Sequence, residues 1–405
     1  MPIDREDLRK RRWPKPPFPI GHEVRGRKIR GSGIIFYDDV GNEIIAGDPS
    51  FYANLSAPAN YLESHLVSEG KIKIIPLGKK KVTGSLPPEE CAITSLVKDR
   101  EGRIYIASSG RKSHLLLYDS KREPNYAIHL GVLEKEESKI NSLVVSSDGS
   151  LFGGTELKNG EGYLFSCIPS EEAPLKIEKV AVPIKNEGIS ALTIDNNLGR
   201  IYGLSTKTGT FFIFYLKKGT VELKGPVDKE GIFSEVLVVG PERNVYGGAR
   251  WGQLFRYDIE KESLISLKSR IPSVRGREMY DKIDSLIFDK EGQSLYGGTF
   301  ADGMLFQFYP QEEKIISLGK VIAQPRIRCL AFGKNGCLYG VAGETCCHLF
   351  RYNPEDRDLV DLGIPFVSSP RHWYGYEFDA AVSGENGEIF LGQSERISYL
   401  FLYFP

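Results

Sequence analysis

Apolar residues along this chain come in bursts of four to six, separated by short polar turns. The stretch from 285 to 318 is representative: SLIF, SLYGG, MLFQF and IISL follow one another with DKEG, ADG and PQEE between them. Such bursts alternate or run apolar for a strand's length, and they are bounded by Asp-Gly, Glu-Gly, Asn-Gly or Pro. No segment of comparable length sustains a 3.6-residue period. The pattern predicts short antiparallel strands joined by tight turns.

The bursts repeat as a unit. It opens with a short apolar segment and a polar turn, as in ITSLVKDREGR, INSLVVSSDGS and IDSLIFDKEGQ. An aliphatic–aromatic pair follows, then small residues or Gly-Gly-Thr, a loop, Leu-Phe-x-Tyr, a turn, and a strand ending in Leu-Gly. The clearest copies are SLYGGTFADGMLFQFYPQEEKIISLG (294–319) and CLYGVAGETCCHLFRYNPEDRDLVDLG (337–363). The aromatic falls at Tyr105, Phe152, Tyr202, Tyr246, Tyr296, Tyr339 and Phe390, so successive copies lie 43 to 51 residues apart. A weaker eighth copy precedes them, with Ile45 in the aromatic slot and KIKIIPLG (71–78) as its last strand.

Four strands repeated at this period resemble the β-propeller superfamily over nearly the whole chain. Gly153-Gly154, Gly247-Gly248 and Gly297-Gly298 end second strands as in kelch repeats, without the Tyr and Trp that kelch places after them. The WD dipeptide and the tryptophan-docking signature of quinoprotein propellers are absent, and no functional family is matched. The resemblance implies an all-β, eight-bladed propeller whose Tyr, Phe and Leu-Phe positions fill the spaces between blades. The last copy stops at Pro405 after its third strand, so an N-terminal strand within HEVRGRKIR (22–30) is expected to complete it and cover its open edge. Residues 1–30 are then an extension with the closing strand, and 31–405 a single domain. The alternative is seven blades, with the irregular first copy as a cap and KIKIIPLG as the closing strand.

Composition narrows the function classes. Lys plus Arg and Asp plus Glu both number 53 in 405 residues, so the chain has no net charge. That argues against nucleic-acid binding through a basic field. No stretch is long and apolar enough for a membrane helix, and the charged, Pro-rich start has no secretory h-region. Six cysteines without framework spacing predict reduced thiols and a cytoplasmic protein. Six histidines show no paired ligand spacing, there is no CxxC, and GGT leads into a strand rather than a helix. No metal and no cofactor is expected.

Candidate chemistry concentrates on connections between repeats, which on such a fold emerge at one mouth of the central channel. The longest lie at about 48–60, 268–282 and 366–378. The last holds Arg371, His372, Trp373, Tyr374, Tyr376 and Glu377; the second holds Arg275, Arg277 and Tyr280; Arg326 lies on the connection between them in sequence. This combination offers cations for an anionic ligand, aromatic platforms for a sugar, and groups that move protons. It predicts a carbohydrate-binding or carbohydrate-active mouth. As a lyase on uronate-containing oligosaccharides, it would use His372, Tyr374 and Tyr376 as catalytic residues. Arg275, Arg277, Tyr280, Arg326, Arg371, Trp373 and Glu377 would bind substrate. The competing reading is a non-catalytic scaffold that binds another protein, with the same aromatics as anchors.

Overall fold

The computed structural model describes residues 23–24, 27–28, 67–78, 86–87, 89–121, 126–133, 137–169, 176–344, 347–367, 373–395 and 398–405. Within them the chain forms a seven-bladed β-propeller, each blade a four-stranded antiparallel sheet. Blades 1 to 7 begin with the innermost strands Ala92–Lys98, Ser138–Val145, Ile189–Asp195, Leu237–Val239, Ile283–Asp289, Ile327–Phe332 and Phe378–Ser383.

Seven blades, not eight, close the ring, and the closing strand is Lys71–Ile75. It pairs antiparallel with Leu400–Phe404, from Lys71 against Phe404 to Ile75 against Leu400. Residues 22–30 do not serve: Glu23–Val24 pairs only with Arg27–Lys28, as a ribbon of its own. The physical reason lies in the side chains. KIKII buries Ile75 under Leu77, Leu400 and Leu402, a face that the charged HEVRGRKIR lacks. The weak first copy at 33–66 and the boundary expected at residue 30 lie outside the described residues.

The repeat's aromatics hold one blade against the next. Phe152 contacts Phe214, Tyr202 contacts Tyr257, and Tyr296 contacts Phe332 and Tyr352, always across to the following blade. Tyr339 meets Tyr403, and Phe390 meets Tyr118 of blade 1, which closes the circle. All seven anchors are buried.

The paired glycines have separate steric tasks. A Cβ on Gly297 would stand 2.4 Å from the ring of Phe306 on the next strand of its own blade. One on Gly298 would stand 2.3 Å from Cβ of Ile327 in the following blade. The first glycine admits the phenylalanine of Leu-Phe, and the second admits the isoleucine that opens the next repeat.

Candidate functional site at the channel mouth

The short segment that opens each repeat builds the channel wall. Pairing with the second strand slips by one residue at Thr94, Asn141, Ser190, Asp284, Arg328 and Asp379, the x of Ile-x-Ser and its variants. Glu235, in Ser-Glu-Val-Leu, holds the matching place in blade 4. A bulged residue leaves the ladder and is re-aimed. Here all seven line one polar cavity of about 300 Å³ at the mouth.

The same segments clasp neighbouring blades. Thr94 Oγ1 donates to the Ile140 carbonyl at 2.6 Å, and Asn141 Nδ2 donates to the Ile189 carbonyl at 2.8 Å. The Leu143 amide donates to Ser95 Oγ at 3.0 Å, and Ser285 Oγ donates to the Ile327 carbonyl at 2.7 Å. The serine of the motif is thus a hinge pin between blades, and the residue before it faces the ligand space.

Residues two positions earlier lie nearer the entrance, because the inner strands run inward from the mouth. There Lys139, Lys282 and Arg326 line the cavity. Arg326 grips Asp284 with both arms of its guanidinium, Nε at 2.9 Å and Nη2 at 2.7 Å. Its backbone is left-handed, at φ 71°, and its guanidinium also lies 4.4 Å from the centroid of Phe300. The Lys282 ammonium lies 4.8 Å from that same ring. Arg328, with a side chain nine-tenths buried, donates to Asp379 at 2.5 Å and lies 3.8 Å from Glu377. Its Nε has no hydrogen-bond partner. Burial raises the Asp284 carboxyl above its ordinary range, and Arg326 opposes the rise. Burial also raises Glu377, against the pull of Arg328. Glu395, on the loop whose Ser394 amide bonds the Glu377 carbonyl, is pushed up to about 8 by burial and then by Glu377.

The residues expected at this mouth divide into groups. Arg326 lines the cavity, and Tyr376 and Glu377 lead into the inner strand of blade 7. Trp373 and Tyr374 form a two-residue strand against Phe366–Val367, and only their backbone is described. Arg371 and His372 lie outside the described residues. Arg275, Arg277 and Tyr280 emerge on the mouth side but stand away from the cavity; the Arg277 guanidinium pairs with Asp302 at 3.2 Å, and Tyr280 is 66% exposed. Sequence reasoning passed over the bulge ring, although its signal is the x of Ile-x-Ser-Leu.

It also passed over a rim patch on blades 4 and 5. Trp251 sits on the loop between second and third strands of blade 4, left-handed at φ 56°. For a bulky aromatic that conformation costs about 1–3 kcal/mol. The Arg250 guanidinium covers the indole at 4.5 Å, with Arg270 at 5.8 Å. Arg250 also pairs with Glu230, which fastens the 228–232 loop alongside. Ile232, Trp251, Val274, Met279 and Tyr280 are all more than a third exposed on these three loops.

A larger cavity, about 650 Å³, opens on the opposite face between blades 5, 6 and 7. Three of its polar side chains close their own turns: Asp289 accepts the amides of Glu291 and Gly292, Asn335 that of Cys337, and Asn353 that of Glu355. Among the described residues no group of three or more His, Cys, Asp or Glu is placed to hold a metal. His114 and His348 do occupy matching third-strand positions. His114 bonds Glu90 through Nε2 at 3.0 Å and His129 through Nδ1 at 2.9 Å, whereas His348 bonds Asp361 at 2.9 Å.

No protein-family model matches the sequence, and no curated protein resembles it closely enough to be related by sequence. Solved structures do resemble it. The extracellular domain of BT4673 from B. thetaiotaomicron superposes with a TM-score of 0.60 at 16% identity, over 82% of this chain and 40% of that one. U3-55K gives 0.56 at 14% identity over 84% of this chain and 100% of that one. The WD40 repeats of RRP9 give 0.55 at 14% over 84% and 99%. The likeness is one of fold. This chain reaches the seven-bladed arrangement without the WD dipeptide, and it spans 40% of the first neighbour's length.

Proposed function

We propose that this propeller is a binding module that captures a protein partner on the mouth-side rim of blades 4 and 5. The observation that carries this reading is Trp251, a strained and exposed indole stacked under Arg250 beside exposed Met279 and Tyr280. Aromatic, Met and Arg side chains at the centre of a patch are the composition of interface anchors. The charges around the channel favour the same reading, because Arg326 and Arg328 are engaged by Asp284 and Asp379. A photo-crosslinking residue at position 280 is expected to trap one discrete partner, and the Trp251→Ala background to lose it. The same probe at position 198, on the opposite face, is expected to trap none. Equal labelling from both faces would overturn the proposal.

A second reading, an acidic carbohydrate at the mouth, draws support from Glu377 and Glu395. Burial holds both carboxyls above their ordinary range, Glu395 at about 8, where it exchanges a proton near neutral pH. Its finer form is β-elimination next to a uronate, with His372 as base, Tyr374 or Tyr376 as its partner, and Arg275 and Arg371 holding the carboxylate. A uronate oligosaccharide panel, read by absorbance of the unsaturated product, tests it; activity lost in His372→Ala and Tyr374→Phe would support it, and no product from the native protein would end it.

No helix among the described residues is long and apolar enough to cross a membrane. The described cysteines, Cys91, Cys167, Cys329, Cys337 and Cys347, are buried thiols, which supports a reducing, cytoplasmic setting.

A further inference from the structure

The cavity at the centre of the mouth is separate from the rim patch and carries its own chemistry. Two of its cations are already neutralised by its own wall, Arg326 by Asp284 and Arg328 by Asp379. Three charges remain. Lys139 and Glu235 are exposed to the cavity and make no ion pair among the described residues. Lys282 makes no ion pair among the described residues; its ammonium rests against Phe300 and acts on the Asp284 carboxyl only at longer range. Lys139 and Lys282 stand in the entrance tier, and Glu235 stands one tier deeper, in the bulge ring. The opposite arc of the ring, Thr94, Asn141 and Ser190, is uncharged and polar.

A ligand is selected by the charges its site leaves unmatched, since burying it elsewhere would strand a charge on one side or the other. We propose that this cavity binds a small zwitterion, an amino acid whose carboxylate meets Lys139 and Lys282 and whose ammonium meets Glu235. At about 300 Å³ the space suits a ligand of the size of a free amino acid. The hydroxyl and amide arc favours a polar side chain.

The test is a thermal-shift screen of the twenty amino acids at low salt. Calorimetry follows on the best of them, on its deaminated analogue, which keeps the carboxylate, and on its decarboxylated analogue, which keeps the amine. The native protein is expected to bind the amino acid at least tenfold more tightly than either analogue. Glu235→Gln should erase the preference over the deaminated acid. Lys139→Met with Lys282→Met should erase the preference over the amine. None of these residues is in the rim patch, so partner crosslinking from position 280 should persist in all the variants. Absence of any amino-acid shift would overturn the proposal, as would equal binding of both analogues or a preference that survives Glu235→Gln. A monosaccharide acid binding more tightly than every amino acid would also overturn it, and would favour the carbohydrate reading.

Discussion

Asp281 and Asp302 are 2% and 1% exposed, and they hold the rim loop in place. Asp302 accepts the Val274 amide at 2.7 Å and pairs with Arg277, while Asp281 accepts the amides of Lys282 and Ala301. The remaining oxygen of Asp281 has no hydrogen-bond partner in its ionised form. Burial, with Asp302 adding to it, pushes Asp281 from 3.8 up to about 6. A carboxyl raised in the fold binds more protons there than in the unfolded chain. Stability from this pair is therefore full below about pH 4 and is lost as pH rises through 6, a change of about 2–3 kcal/mol. Asp281→Asn mimics the protonated acid and keeps its amide bonds. The difference in melting temperature between variant and native protein is expected to grow in the variant's favour from pH 5 to pH 7.5. A constant difference would show that Asp281 is ionised throughout. His114 and His129 work in the other direction: burial lowers both, so their contribution is lost as pH falls below the ordinary imidazole range. Comparing variant with native protein at each pH cancels that term.

At the scale of the element, the repeat is a set of interlocking shapes, and much of it is written in consecutive residues. The anchor aromatics at 105, 152, 202, 246, 296, 339 and 390 are legible because each sits at a fixed place in a recurring phrase, and each packs on the following blade. The glycine pairs are legible as close approaches for the same reason. Gly298→Ala should cost about 1–3 kcal/mol in urea unfolding, because its methyl would overlap Ile327. An unchanged urea midpoint would contradict this close approach. What adjacency cannot reveal is pairing between blades. Arg326 reads as a mouth residue, yet the carboxylate that neutralises it comes from a strand 42 residues before, and that of Arg328 from one 51 residues after. Trp251 was invisible for a different reason: GGARWGQLF looks like any other second loop, and only the left-handed φ distinguishes it.

At the scale of the whole molecule, the ring closes through a strand far from its blade in sequence. KIKIIPLG has the form of every other fourth strand, so its type was legible, but a circular repeat does not say which blade a leftover strand completes. That depends on where the ends meet in space. Deleting residues 1–30 is expected to leave the melting temperature unchanged. Deleting residues 1–78 removes Lys71–Ile75, exposes the Leu400–Phe404 edge, and is expected to bring a large drop with aggregation. The reverse outcome would restore closure by residues 22–30. The closed ring makes the mouth-side rim a fixed platform, and its function rests on whether blades 4 and 5 carry the binding energy. The most direct measurement is the dissociation constant of the partner trapped from position 280, purified and titrated against native protein and three single variants of matched melting temperature. Trp251→Ala and Tyr280→Ala are each expected to weaken binding about 30-fold, the roughly 2 kcal/mol of an interface anchor, while Leu198→Ala on the opposite face leaves it unchanged. Native affinity in both rim variants, or a loss confined to Leu198→Ala, would contradict the account.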